Sequence, residues 1–94
     1  MPSTLHAPAR PPTGLVLTGG GARAAYQVGV LEAIAELRRI HAPEESPASS
    51  PFGVITGTSA GAINAAALAC GADDFATTVR RLAETWRNFH AEQV

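Results

Sequence analysis

A serine stands between two glycines at residues 57–61, in the pentapeptide Gly-Thr-Ser-Ala-Gly. An apolar, β-prone run precedes this G-x-S-x-G pattern and an alanine-rich stretch follows it. A serine on a sharp turn between a strand and a helix is exposed for nucleophilic attack. Such a turn closes only if the positions two before and two after are nearly bare, and Gly57 and Gly61 satisfy this. The pattern therefore predicts Ser59 as a nucleophile, and the alternative is a Gly/Ser-rich turn in which Ser59 only caps the helix. This strand–turn–helix arrangement is called a nucleophile elbow, and its remaining positions here are Thr58 and Ala60.

A second candidate element is the run of three glycines, Gly19, Gly20 and Gly21. It follows a buried-strand pattern at 14–18 and leads into a helical stretch at about 22–40. A serine that attacks an ester needs hydrogen-bond donors for the oxyanion that forms, and backbone amides without side chains serve well. The start of the following helix adds a favourable field for negative charge. The glycine turn is therefore a candidate oxyanion hole.

The elements around these two turns alternate between strand and helix. A second strand is predicted at 52–56, a helix at 62–70 and a last helix after Asp73, which is expected to cap it. Alternation of this kind predicts an α/β fold with parallel strands and a right-handed crossover. Since the carboxyl ends of parallel strands line one crevice, we expect the glycine turn and Ser59 to open side by side.

The apolar spacing predicts which helix faces are buried. In the first helix the set is Ala24, Val28, Leu31 and Ala35, with either Ile34 or Leu37. In the last helix the set is Phe75, Val79, Leu82, Trp86 and Phe89. A binding site formed by Trp86 and Phe89 is the less favoured interpretation of this pattern. Gly29 is expected to admit a closely packed backbone, and Cys70 to be a small buried residue.

Length and composition limit the possible functions. The chain has 94 residues and a formal charge of −1 with dispersed arginines, which argues against a nucleic-acid partner. One cysteine excludes an internal disulfide and a cysteine-based metal cluster, and we expect neither metal nor cofactor. Residues 1–13 contain four prolines and are predicted to form a flexible tail. No signal peptide or membrane-spanning run is seen, so a cytoplasmic location is expected.

Two strands do not make a stable parallel sheet covered on both faces. We therefore expect residues 14–94 to be the N-terminal portion of a larger domain. Residues 15–31, LVLTGGGARAAYQVGVL, together with GTSAG at 57–61, resemble the start of a patatin-like phospholipase domain of the bacterial type. The resemblance implies a three-layer α/β/α fold with a mainly parallel sheet, of which this chain is an incomplete segment.

The resemblance also implies an activity, namely hydrolysis of lipid acyl esters by a Ser–Asp dyad. Ser59 would be the nucleophile, and peripheral contact with a membrane would follow from lipid substrates. Arg23 matches the family's basic position, where it could orient the turn, meet an anionic head group or simply be solvated. The amides of the oxyanion hole would be those of Gly19, Gly20, Gly21, Ala22 and Arg23.

The chain departs from the family's pattern in three places. Thr18 stands where the glycine motif often begins with Asp, and Ala24 stands where it often ends with Gly. The dyad aspartate belongs to a later Asp-Gly-Gly or Asp-Gly-Ala motif, which is absent here. Asp73 and Asp74 are the only aspartates and are expected to be helix caps. Because a serine without a base is a weak nucleophile, we expect the segment alone to be inactive.

Four other interpretations remain open. The order Ser59, Asp73 or Asp74, His90 fits an α/β-hydrolase triad, although only helix separates these residues. Gly19-x-Gly21-x-x-Ala24 after a strand fits a dinucleotide-binding fingerprint, but no acidic residue ends the second strand. The same serine could serve an acyltransferase, since transfer and hydrolysis share an acyl-enzyme, and a non-catalytic binding module is the remaining class.

Overall fold

The computed structural model describes residues 12–41 and 48–89. The elements are β1 (Thr13–Leu17), α1 (Gly21–His41), β2 (Phe52–Gly57), α2 (Ala60–Cys70) and α3 (Phe75–Arg87). This is the predicted order, and no boundary given in the prediction differs from the observed one by more than two residues. Most of the predicted proline-rich tail, and His90, lie outside the described residues.

The two strands pair in parallel, as the alternation of elements predicted. Leu15 is opposite Ile55 and Leu17 is opposite Gly57, with α1 as the crossover between the strands. Both strands therefore end at the same edge of the sheet, and the turns that follow them are neighbours. The fold class is α/β, as expected.

One apolar core joins the strands to the three helices. Its buried members are Leu17, Val28, Leu31, Ala65, Leu68, Phe75, Val79, Leu82 and Ala83. The strand residues Leu15 and Ile55 pack against it. Because successive side chains of a strand point to opposite faces of the sheet, Val16 and Val54 lie on the other face, where their exposed fractions are 74% and 52%. The described helices thus cover one face of the sheet.

The helix faces were predicted correctly except at three residues, and one open alternative is resolved. Ile34 packs on the core, whereas Leu37 is 54% exposed. Phe89 is wrongly predicted as core, because α3 ends at Arg87 and Phe89 is 47% exposed. Cys70 is exposed and not buried, because it lies two residues, about 200° around the helix, from the buried Leu68. Among the described residues, no atom outside the neighbouring backbone of α1 lies within 4 Å of a Cβ built on Gly29, so no other described element packs its backbone there.

The cap of α3 is Asp74 and not the predicted Asp73. The Asp74 carboxylate accepts hydrogen bonds from the backbone N–H of Thr77 (3.2 Å) and from the Thr77 hydroxyl (2.9 Å). We expect Asp74→Ala to lower the free energy of unfolding by about 1 kcal/mol, the usual loss for a helix cap. Asp73→Ala is the matched control and should be nearly neutral in urea denaturation. Equal losses for the two variants would refute this assignment of the cap.

Candidate active site

Ser59 lies in the turn between β2, which ends at Gly57, and α2, which begins at Ala60. Its backbone dihedrals are φ 56° and ψ −125°. Among the described residues other than glycine, Ser59 is the only one with a positive φ. Such a conformation costs on the order of 1–3 kcal/mol and persists only where the surroundings impose it. The serine is thus held in a strained turn at the carboxyl end of a strand.

Two glycines allow this turn to close. A Cβ on Gly57 would overlap the backbone of Gly61, and a Cβ on Gly61 would overlap the carbonyl oxygen atoms of Leu17 and Thr18. Neither position has room for any side chain. The spacing that suggested an elbow in the sequence therefore corresponds to two close backbone approaches.

Backbone hydrogen bonds fix the same turn from both sides. The Thr58 N–H donates to the Leu17 carbonyl at 3.0 Å and so ties the elbow to the end of β1. The Gly61 and Ala62 N–H groups donate to the carbonyls of Thr58 (2.9 Å) and Ser59 (2.8 Å). These bonds start α2 without the help of the serine side chain. Ser59 occupies the N-cap position, yet its hydroxyl makes no capping hydrogen bond, and the residue is exposed.

The glycine turn lies against Ser59. A Cβ built on Gly19 would lie 3.1 Å from the Ser59 Cβ, 3.2 Å from the Thr58 carbonyl oxygen and 3.8 Å from the Ser59 Oγ. The next residue, Gly20, has φ +102°, which favours glycine. The two turns that the sequence singled out are therefore brought side by side.

The amides that follow the turn are available for an acceptor. In α1 the Ala24 N–H donates to the Gly20 carbonyl at 2.8 Å. The N–H groups of Gly21, Ala22 and Arg23 come before it, in the part of a helix that has no intrahelical acceptor. They also lie at the positive end of the helix dipole. A serine hydroxyl and free backbone amides at a helix start are the components that acyl-transfer chemistry uses.

The model of the patatin-like phospholipase family matches residues 15–94. The chain belongs to this family. Because it belongs to this family, the chain is a relative of lipid hydrolases. The family match does not favour the dinucleotide-binding alternative. Neither the curated proteins nor the solved structures gave a match.

Gln27 supports the glycine turn of this patatin-like chain and was not singled out from the sequence. Its Nε2 donates to the Thr18 carbonyl (3.1 Å) and to the Thr18 Oγ1 (3.3 Å). Its Oε1 is buried without a hydrogen-bond partner among the described residues. The hydroxyl at position 18, where the family often has Asp, is thus held by an amide from the second turn of α1. A glutamine in the second turn of the helix that follows the glycines was the only signal in the sequence.

The two aspartates are far from the serine. They follow α2 at the end opposite Ser59, and a helix of that length spans about 16 Å. Asp74 is also engaged in capping α3. The structure therefore does not bring Ser59, Asp73 and Asp74 together as an α/β-hydrolase triad would require, and His90 is outside the described residues.

The described part of the chain shows neither a metal cluster nor a membrane span. Within residues 12–41 and 48–89, no three His, Cys, Asp or Glu side chains gather in a way that could hold a metal ion. None of the helices described there combines enough length and hydropathy to cross a bilayer.

Proposed function

We propose that this chain carries the nucleophile and the oxyanion hole of a serine-dependent lipid acyl hydrolase. The observation that carries the proposal is the strained backbone of Ser59 directly against Gly19. Strain of this kind is kept at functional sites, where the surroundings hold a side chain in its reactive orientation. The exposed hydroxyl, which is not used as a cap, supports the same role.

The proposed reaction proceeds through an acyl-enzyme. The Ser59 Oγ attacks the ester carbonyl carbon and gives up its proton to a base. The amides of Gly19, Gly20, Gly21, Ala22 and Arg23 stabilise the negative charge that forms on the carbonyl oxygen. Collapse of the tetrahedral intermediate breaks the ester bond and releases the alcohol, which takes up a proton. Water then hydrolyses the acyl-serine and releases the fatty acid.

The base in this scheme is a carboxylate from outside the 94 residues. Asp73 and Asp74 are the only aspartates here, and both lie at the far end of α2 from Ser59. The proposal therefore assigns the base to the dyad aspartate in the remainder of a longer protein. Residues 14–94 would be the N-terminal portion of that domain, and this portion alone would be inactive.

The proposed substrate is a lipid ester presented at a membrane or micelle surface, with the enzyme bound peripherally. Family membership supports the lipid class. The exposed Arg23 guanidinium follows the glycine turn and could meet an anionic head group.

The test is fatty-acid release from phosphatidylcholine vesicles by the full-length protein. We expect release from the vesicles and its loss after treatment with a fluorophosphonate, which modifies an activated serine. The isolated 94-residue segment should release nothing. NAD binding by calorimetry without any ester hydrolysis would contradict the proposal.

A further inference from the structure

Asn64 is a completely buried amide in a helix whose other side chains are almost all apolar. Its exposed fraction is 0%, and α2 otherwise consists of alanine, glycine, isoleucine, leucine and a final cysteine. Burying an amide is unfavourable unless its donor and acceptor are both paired. Asn64 therefore needs specific partners.

Both ends of the amide have a partner on another helix. The Asn64 Nδ2 donates to the Ala24 carbonyl at 3.1 Å, and the Trp86 Nε1 donates to the Asn64 Oδ1 at 2.9 Å. An indole N–H can only donate, so the amide oxygen must face Trp86. The amide nitrogen consequently faces Ala24. The chemistry of the partners thus fixes the orientation of the side chain.

One further hydrogen bond links Ala24 to the glycine turn. Ala24 is 0% exposed, and its N–H donates to the Gly20 carbonyl at 2.8 Å. The hydrogen bonds therefore run from Asn64 through Ala24 to Gly20. Asn64 belongs to the helix that starts immediately after Ser59, whereas Ala24 belongs to the helix that starts at the glycine turn.

We propose that Asn64 is a positioning residue that sets the distance between Ser59 and the oxyanion-hole amides. It braces α1 against α2 about one turn from the start of each helix, close to the two groups that must act together. This role rests on the function proposed above. It predicts that loss of the Asn64–Ala24 bond impairs the chemical step more than substrate binding.

The test compares Asn64→Ala with Trp86→Phe in the full-length protein, assayed with a soluble ester well below the melting temperature. Asn64→Ala removes the bond to Ala24. Trp86→Phe is the matched control, because it removes a hydrogen bond from the same amide but leaves the bond to Ala24. We expect Asn64→Ala to lower kcat about 100-fold with KM within about threefold, since small displacements of reacting groups have effects of this size. Trp86→Phe should lower the melting temperature but keep kcat within about threefold.

Three outcomes are distinguishable. A selective fall in kcat for Asn64→Ala, or for the milder Asn64→Ser if the first variant does not fold, supports the positioning role. Equal effects of Asn64 and Trp86 variants on kcat would overturn it and leave a purely structural role. Absence of any Ser59-dependent turnover in the wild-type protein would instead refute the proposed function.

Discussion

Replacing Ser59 with alanine should reduce ester hydrolysis by the full-length protein at least about 10⁴-fold, as loss of a serine nucleophile does in hydrolases of known mechanism. The substitution removes the Oγ and leaves the rest of the elbow unchanged. The proposed oxyanion donors would remain, but without the nucleophile no covalent tetrahedral intermediate would form for them to stabilise. Initial rates with a soluble ester and with phosphatidylcholine vesicles measure the loss.

Ser49→Ala is a suitable control for this prediction. Ser49 is also exposed, but it lies before β2 and away from the elbow. It should keep wild-type activity, and both variants should keep wild-type circular dichroism. A Ser59→Ala protein with more than about a tenth of the wild-type rate would refute the assignment of the nucleophile, because the loss should be far larger.

Replacing Gly61 with alanine should damage both the fold and the activity. The added Cβ would overlap the carbonyl oxygen atoms of Leu17 and Thr18. These are backbone atoms at the end of β1, so relief requires α2 to move away from the residues that lead into Gly19. We expect a loss of about 1–3 kcal/mol in the free energy of unfolding, the usual range for overpacking. A displacement of about 1 Å at the elbow should further lower kcat about 100-fold.

Gly29→Ala is the matched glycine control for that variant. Gly29 lies within α1, and in the described part of the chain no atom beyond the neighbouring helix backbone lies within 4 Å of a Cβ built on it. Alanine there should raise the free energy of unfolding by about 1 kcal/mol through helix propensity and leave kcat unchanged. Urea denaturation and steady-state kinetics measure both variants. A Gly61→Ala protein as stable and as active as wild type would refute the close approach at the elbow.

The sequence predicted the arrangement of the two turns because strong local rules apply there. Glycine–serine spacing between an apolar run and a helical run leaves few conformations, and Ser59 lies in the sharp strand-to-helix turn that this spacing predicted. Alternation of strand and helix predicted the parallel pairing of β1 and β2, and with it the contact between Gly19 and the elbow.

The errors arose where tertiary contacts decide the outcome. Asp73 and Asp74 are equally good caps by residue type, and the exact start of α3 selects Asp74. Cys70 was predicted to be buried because cysteine is among the residue types most often found buried, but its position around α2 exposes it. The role of Asn64 was missed because it depends on Ala24 and Trp86, which are 40 and 22 residues distant in the chain. A lone asparagine in an alanine-rich helix was the available signal.

Covalent capture of Ser59 tests directly whether this serine is the nucleophile. The full-length protein is treated with a fluorophosphonate probe and digested, and the modified peptide is located by mass spectrometry. We expect one adduct on the Ser59 hydroxyl. Its rate of formation should fall when Asn64 is replaced by alanine, and no adduct should form in Ser59→Ala. Two results would contradict this expectation. One is that ester hydrolysis continues and Ser59 stays unmodified after treatment with the probe. The other is that an adduct on another residue accounts for the loss of activity.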